Sequence, residues 1–437
     1  MKRNLLVLIG LCSMSSANCQ HCTDRVISID ELFRLTDSNS RQLQVAAKEI
    51  AINVEKARTA RIERLPEIET AADAGYLSDL TILRPDLSYL QTTHAPHFTN
   101  NYFLQAAQLV FKGGYVKSNI EKSELLAMLS ALDRQKQGQD LRILLLGKYF
   151  DLLELLNAEQ IYEKNIVLAE RRLKDVQSLR SQGMVTRNDV IRSELQIEDF
   201  RLDLEDIVNH FEIVNRELTV TLSLPDTLRI IPDTAIYGRD WSQTSPEEAY
   251  LQVAYVKRPS MQQTRLREAI ARKNVQLERS KQWPALSVYA GDALQRPFLY
   301  SLTPVDIYFN AFQAGISLRY DISSLYRVKS RITEEKIGYD EETIKSDWQR
   351  QQIEIEVHTA FTNYREANER YITLRKSLEY ANENYRIVER KYLNQLALIT
   401  DMLDASTAKL SAELRLSNGR IDIINRWYQL QKASGNF

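Results

Sequence analysis

Two hydrophobic patterns alternate along this chain, and their order is repeated. Long stretches with apolar residues every three to four positions predict helices, and short stretches with apolar residues at every second position predict strands. Val116-Lys117-Ser118 and Asp189-Val190-Ile191 recur as Val328-Lys329-Ser330 and Asp401-Met402-Leu403, each 212 residues later. Pro66-Glu67-Ile68 in the first copy corresponds to Pro284-Ala285-Leu286 in the second. This period is too long for a solenoid repeat, so we predict a duplicated helix-hairpin-helix-helix module.

The first copy is predicted over residues 28–222 and the second over 246–432, with residues 223–245 as a linker rich in helix-breaking residues. The predicted segments of the first copy are a helix from 29 to about 64, strands 67–76 and 102–111, and helices 115–180 and 186–222. Those of the second copy are a helix from about 246 to 282, strands 285–292 and 307–320, and helices 325–393 and 398–432. Residues 77–101 and 293–306 are predicted to be loops.

The strand patterns leave two environments open. Along the last strand, Phe312, Ala314, Ile316, Leu318 and Tyr320 share one face, and polar residues or glycine occupy the other. A strand of a water-filled membrane barrel needs an apolar outer face of this kind, but a soluble sheet with one wet face has the same pattern. No segment approaches the ~18 consecutive apolar residues of a membrane-spanning helix. Four strands cannot close a barrel alone, so a membrane location predicts that several chains share one barrel.

The longest predicted helices favour an extended molecule. At 1.5 Å per residue, helices 115–180 and 325–393 are rods of about 95 to 105 Å. Leu141, Leu145, Tyr149, Leu152 and Leu156 follow the spacing of a coiled coil. Phe361 and Tyr364 occupy the positions that correspond to Tyr149 and Leu152, 212 residues later. We interpret these apolar rows as packing seams.

The composition agrees with long helices, and the N-terminal residues predict that the chain is exported. The chain has only 13 Gly and 10 Pro, and its formal net charge of -1 gives no sign of a nucleic-acid partner. A basic start, an apolar run from Leu5 to Leu11 and the small residues Ser15-Ser16-Ala17 predict a secretory signal over residues 1–17. Lipidation at Cys19, with the signal then ending at residue 18, stays open. All three cysteines lie in the first 22 residues, so no disulfide framework is expected beyond them.

The sequence offers little catalytic chemistry. It contains no nucleophile elbow, phosphate-binding loop or paired-acid motif, so we predict neither an enzyme nor a cofactor. His94 and His97 lie in the first predicted loop. Two histidines without a third ligand seldom hold a metal ion, and no metal site is predicted.

Several motifs resemble those of one family. Phe111-Lys112-Gly113-Gly114 resembles the Phe-Asp-Gly-Gly at the barrel-to-helix junction of the TolC family of outer-membrane efflux ducts. In the second copy, Tyr320-Asp321 matches the aromatic residue and the aspartate of that motif, but the two glycines are lost. The run from Gly183 to Val190 resembles that family's tip turn, and the run from Thr400 to Ala405 resembles its second tip. The order of elements is similar over almost the whole mature chain.

The resemblance implies a mainly α fold with a small membrane β part. Coiled-coil helices would form an α-barrel tunnel, and a homotrimer would share a twelve-stranded β-barrel, four strands per chain. It implies the outer membrane of a Gram-negative bacterium, a large periplasmic part, and contact with lipid, a periplasmic adaptor (membrane fusion protein) and an inner-membrane pump. The expected function is a passive duct for efflux or type I secretion. The alternative is a periplasmic coiled-coil structural or adaptor protein.

The same resemblance implies where the working residues lie. The expected periplasmic aperture consists of Asp401, Asp404, Asp189 and Tyr392, with Asp401 and Asp404 forming two rings of carboxylates in a trimer. The expected adaptor-docking tips contain Gly183, Met184, Val185, Thr186, Leu398 and Thr400. The expected barrel-helix junction contains Phe111, Gly113, Gly114, Tyr320 and Asp321. Two positions depart from the family pattern: Ala397 replaces a basic residue and Gln395 replaces a turn glycine. A closing ion pair made by a basic residue at position 397 is therefore not expected, and Arg187 in the other tip turn is the candidate to replace that residue.

Overall fold

The computed structural model describes residues 23–241, 245–299 and 304–437. The predicted signal segment 1–17 and Cys19 lie outside the described residues. The chain forms two compact units. Unit 1 holds the described residues of Met1–Arg41, Asp140–Thr244 and Thr362–Gln429. Unit 2 holds those of Gln42–Gln139, Ser245–Phe361 and Leu430–Phe437.

The elements follow one order twice, and the chain is mostly helical, as predicted. The helices are α1 (Ile29–Asn39), α2 (Arg41–Ile62), α3 (Tyr115–Ser181), α4 (Arg187–Thr221), α5 (Glu247–Lys257), α6 (Pro259–Ser280), α7 (Ser324–Leu393) and α8 (Ile399–Ser434). The strands are β1 (Thr23–Ile27), β2 (Glu67–Tyr76), β3 (Leu80–Leu83), β4 (Tyr89–Thr93), β5 (Phe98–Phe111), β6 (Leu228–Pro232), β7 (Ala285–Arg296) and β8 (Phe309–Arg319). Corresponding helices match in length: 11 residues in α1 and α5, 22 in α2 and α6, 67 in α3 and 70 in α7.

The leading helix of each copy is broken, which corrects the prediction of one continuous helix. Arg258 separates α5 from α6 and has an extended backbone, with ψ 128°. Pro259 follows it, and a proline disfavours the helical conformation of the residue before it. Ser40 separates α1 from α2 with ψ 123°, and its N–H donates to the Thr36 carbonyl. No proline accounts for this first break.

The four long strands form one antiparallel sheet in unit 2, in the order β2-β5-β7-β8. The register pairs Ile68 with Ala106, Ala106 with Ala290, and Ala290 with Ala314. Paired residues point to the same face of a sheet. One face therefore carries apolar residues that include Ile68, Leu104, Val288, Phe312, Ile316 and Leu318. The opposite face carries residues that include Glu67, Glu69, Asp73, Gln105, Ser287, Gln313 and Arg319.

The apolar face is open to solvent in the single chain. Ile68 is 69% exposed, Phe312 71% and Ile316 72%. β2 and β8, at the two edges of the sheet, each pair on one side only among the described residues. Strand ends differ from the predictions by a few residues: β5 begins at Phe98, and β7 continues to Arg296.

Five short elements were not predicted: the strands β1, β3, β4 and β6, and one 3-10 turn. Residues 77–101 were predicted to be a loop, but they contain the hairpin β3–β4. In unit 1, β1 and β6 form a parallel pair, so the linker residues 223–245 include a strand. The 3-10 turn Thr234–Gly238 also lies in this linker.

Two tyrosines of the predicted packing seams hold this linker in place. The Tyr149 hydroxyl donates to the Ile27 carbonyl at 2.9 Å and accepts from the Asp233 N–H at 2.7 Å. The Tyr364 hydroxyl donates to the Trp241 carbonyl. Both rings are almost fully buried, so each seam also supplies a hydrogen bond to the linker.

The described residues contain no helix that is long and apolar enough to cross a membrane.

Candidate functional site at the helix tips

Unit 1 contains two short turns that connect consecutive helices and have the same backbone design. Residues 182–186 connect α3 to α4 and residues 394–398 connect α7 to α8; we call these two turns together the tip. Gly183 has φ 74° and Gln395 has φ 63°, so both occupy the left-handed region. The Met184 N–H donates to the Leu179 carbonyl at 3.0 Å, and the Leu396 N–H donates to the Lys391 carbonyl at 2.7 Å. These bonds close each helix end, so Gln395 keeps the turn without the glycine that the resemblance led us to expect.

Asp189 and Asp401 cap the helices that leave the tip. The Asp189 carboxylate accepts from the Thr186 N–H at 2.7 Å, and the Thr186 hydroxyl accepts from the Asp189 N–H at 3.3 Å, which completes a capping box. The Asp401 carboxylate accepts from the Leu398 N–H at 3.0 Å. Leu398 has no hydroxyl, so the second tip turn has only half of the box. Both carboxylates also lie at the positive end of a helix dipole.

Asp404, the other predicted aperture acid, lies one turn further along α8 and is exposed. Its carboxylate makes no hydrogen bond or ion pair with the residues that the structure describes. The two acids therefore differ: Asp401 has a local structural role, whereas Asp404 presents its charge to solvent.

An apolar cluster joins the two turns of the tip. It contains one or two buried residues from each of the four helices: Val176, Val190, Tyr392, Ile399 and Met402. Tyr392, predicted at the aperture, is only 6% exposed here. Burial and the nearby charge of Asp189 raise the pKa of its hydroxyl. That hydroxyl finds no hydrogen-bond partner among the described residues, so Tyr392 packs the tip core of this chain.

Arg172 is a residue that the sequence analysis missed. Its guanidinium is buried and donates to Gln196 Oε1 at 3.1 Å and to Ser406 Oγ at 3.0 Å. The group also lies 5.9 Å from the centroid of the Tyr385 ring. Burial lowers the pKa of Arg172. Because Gln196 belongs to the first copy and Ser406 to the second, one cation ties the copies together above the tip. A signal was available, since Arg172 interrupts the apolar row between Ala169 and Val176.

The outer surface of the tip is partly apolar. Met184 is 49% exposed, and Leu396, its counterpart 212 residues later, is 76% exposed. Leu398 is 70% exposed. Among the other predicted docking residues, Val185 packs against the apolar cluster, Thr186 caps α4 and Thr400 is half-buried. Arg187 is exposed and makes no ion pair in the described part of the chain.

The predicted barrel-helix junction lies in unit 2 and uses a different turn in each copy. After Phe111, Gly113 and Gly114 have φ 55° and 78°. The ring of Trp283 packs against both Gly113 and Phe111, the latter at 6.1 Å between ring centroids. After Tyr320, the Asp321 carboxylate accepts from the Ser323 N–H at 3.0 Å. The second copy thus replaces the glycine pair with a turn built on an aspartate side chain.

Comparison with known proteins identifies the class of this fold. Residues 250–436 match the family described as outer membrane efflux protein. The outer-membrane channel OprN superposes with a TM-score of 0.77 at 17% identity, covering 94% of this chain and 90% of that one. The outer membrane protein VceC from Vibrio cholerae has a TM-score of 0.76 at 14% identity, with 93% and 96% covered. The open state of the MtrE outer membrane channel from Neisseria gonorrhoeae has a TM-score of 0.73 at 17% identity, with 93% and 88% covered. No curated protein sequence matches this chain.

The predicted fold is thereby confirmed. The chain has the fold of TolC-family outer-membrane efflux channels over nearly its whole length, and its second copy carries the sequence pattern of the outer membrane efflux protein family.

Proposed function

We propose that three copies of this chain form a passive duct through the outer membrane and periplasm of a Gram-negative bacterium. It would be the outer component of a tripartite efflux or type I secretion system. The observation that carries this proposal is the four-stranded sheet, whose apolar face is exposed and whose two edges are open. Export of the chain by the predicted signal 1–17 is part of the same proposal.

The strand directions support closure between chains. The four strands alternate in direction from β2 to β8, so β8 of one chain and β2 of the next would also run antiparallel. Repetition therefore continues the same hydrogen-bond pattern around a ring. In lipid, an open edge would leave backbone N–H and carbonyl groups unpaired at a cost of several kcal/mol each, so closure is required. Three chains would supply the twelve strands that the family resemblance implies.

The periplasmic scaffold alternative accounts less well for the sheet. A soluble protein would expose Ile68, Phe312, Ile316 and other apolar residues of the same face to water, in a surface that Asp292 alone interrupts with a charge near its centre. Large exposed apolar patches are unusual on soluble monomers. A lipid environment removes that cost, and the polar residues of the opposite face would then line a water-filled interior.

The tip supports the proposal of an aperture and a docking surface. Asp404 would place a ring of three carboxylates at the tunnel mouth, beside the capping ring of Asp401. Met184, Leu396 and Leu398 would present apolar side chains to the periplasmic adaptor, which in turn engages the inner-membrane pump. The MtrE channel, which shares this fold, is known in an open state, and we propose that the tip of this chain likewise changes its opening.

Conductance in a planar bilayer tests the duct and separates the two carboxylates. We expect the detergent-purified protein to give small, cation-selective steps that multivalent cations block. Asp404→Ala should weaken this block, because it removes an exposed ring of charge and no hydrogen bond. Asp401→Ala should weaken the block and also lower stability by about 1 kcal/mol, because it removes a helix cap.

Asp206→Ala, an exposed acid on α4, is the matched control and should leave the block unchanged. Block that is identical in the wild type and in Asp404→Ala would remove the carboxylate ring from the account. Absence of any conductance from a folded protein would reject the duct.

A further inference from the structure

Unit 2 brings together three side chains of residue types that can ligate a metal ion, although they are separated in the sequence. Asp79, His94 and His97 lie in the connections between β2 and β5. His94 Nδ1 is 3.0 Å from Asp79 Oδ1, and the two imidazole rings are 5.2 Å apart. One ligand atom from each residue lies within 4.8 Å of the other two, and all three residues are exposed.

The surrounding backbone holds these side chains in place. The Ala95 N–H donates to Asp79 Oδ1 at 3.1 Å. His97 Nδ1 lies 3.0 Å from the Leu77 carbonyl oxygen, and the Leu77 N–H donates to the His97 carbonyl at 3.0 Å. The Tyr76 ring stacks on His97 with 5.3 Å between centroids. A histidine whose Nδ1–H donates to a carbonyl has its Nε2 free for a metal ion.

We propose that Asp79, His94 and His97 form a binding site for a divalent transition-metal ion such as Zn²⁺. Two imidazoles and a carboxylate are a suitable donor set, with ligand distances of about 2.0–2.2 Å and a fourth position for water. Small rotations of these exposed side chains bring the three ligand atoms onto one ion. The ion takes the place of the proton between His94 Nδ1 and Asp79 Oδ1, and that proton moves to His94 Nε2. The third ligand could not be found from sequence spacing, because Asp79 meets the histidines through the pairing of Leu80 with Thr93 and of Leu77 with His97.

Calorimetric titration of the metal-depleted full chain in detergent with Zn²⁺ tests the site. We expect one ion per chain, and a loss of affinity of about tenfold or more for His94→Ala, His97→Ala or Asp79→Asn. His210→Ala and His358→Ala, at exposed histidines elsewhere in the fold, should bind as the wild type does. Zn²⁺ should also raise the melting temperature of the wild type and not that of His97→Ala, which serves as a readout besides binding.

A variant with Cys19→Ser, His21→Ala and Cys22→Ser excludes binding by the N-terminal residues and should keep the site. Titrations of His94→Ala and His97→Ala that match the wild type would overturn the proposal. So would loss of all binding in the N-terminal variant. If Asp79→Asn only lowers thermal stability and Zn²⁺ changes nothing, Asp79 is a structural link between loops and the metal site is wrong.

Discussion

Glu154 on α3 is an acid whose ionisation the fold opposes. Burial raises its pKa to about 7, and the nearby charges of Asp151 and Asp422 act in the same direction. It lines a cleft of about 430 Å³ in unit 1, together with Arg370 and Arg415. The folded chain therefore holds this proton more tightly than the unfolded chain, whose glutamate titrates near 4.5. The stabilising effect is complete below that value and is lost as the pH rises through about 7.

Glu154→Gln should therefore stabilise the fold at pH 8 and change little at pH 4. The amide stays neutral at every pH, so the variant avoids the burial of a charge. After allowance for partial exposure, we expect a gain of about 1 to 2 kcal/mol at the higher pH. Thermal unfolding of the purified protein at both pH values measures it. Glu163→Gln, at an exposed position of the same helix, is the control and should show no such pH dependence. An equal effect of Glu154→Gln at both pH values would contradict the raised pKa.

Single residues show where the sequence was informative and where it was not. The resemblance pointed to Asp189 and Asp401, but only the structure shows that both carboxylates accept backbone hydrogen bonds at helix starts. Tyr149 and Tyr364 were correctly assigned to packing seams. Their hydroxyl partners, in contrast, depend on where the linker lies, and apolar spacing carries no information about a partner that is distant in the sequence.

The junction between β5 and α3 allows a prediction at the level of elements. Gly113 lies in the left-handed region, and a Cβ at this position would be 2.5 Å from Trp283 Cδ1. Gly114 is also left-handed, but a Cβ there would meet nothing within 4 Å. Gly114→Ala should cost about 1–2 kcal/mol for the backbone alone. Gly113→Ala should cost a further 1–3 kcal/mol, roughly, for overpacking against the ring.

Chemical denaturation of the two variants checks this order. In a chain that already carries Trp283→Ala, the cost of Gly113→Ala should lose most of its overpacking part, because the ring that the new methyl group meets is absent. Equal destabilisation by Gly113→Ala and Gly114→Ala would show that contact with Trp283 is not what requires glycine at the first position.

The predictions of elements succeeded where the pattern was long. Helices α3 and α7 begin and end within a residue or two of the positions expected from their apolar periodicity. The hairpin β3–β4 is built from strands of four and five residues, which are too short to show a clear alternation. β1 and β6 pair although they are distant in the sequence. That pairing depends on the position of α3 and Tyr149, so neither strand could be recognised alone.

For the whole molecule, the duplication was the most useful observation in the sequence. It predicted two copies with the same order of elements, and corresponding helices agree in length to within a few residues. It also predicted two strands from each copy, which the structure joins in one sheet through the pairing of β5 with β7. The number of chains in the assembly does not follow from the pattern of one sequence, because it depends on how the open sheet edges of different chains pair.

Disulfide trapping between the two edges of the sheet tests the proposed shared barrel most directly. Ala72→Cys on β2 and Ala314→Cys on β8 place one thiol at each edge, in a chain with Cys19 and Cys22 changed to serine. Opposed residues of antiparallel strands have Cα atoms about 4.5–5.5 Å apart, within disulfide range. Thr70→Cys and Ala74→Cys, each with Ala314→Cys, cover neighbouring registers. Ala290→Cys on the central strand β7 replaces Ala314→Cys in the control.

We predict that oxidation in membranes converts at least one of these edge pairs into covalent dimers and trimers, ending at three chains, while the control stays monomeric. Only monomers in every register, or equal cross-linking in the control, would contradict a barrel shared between chains.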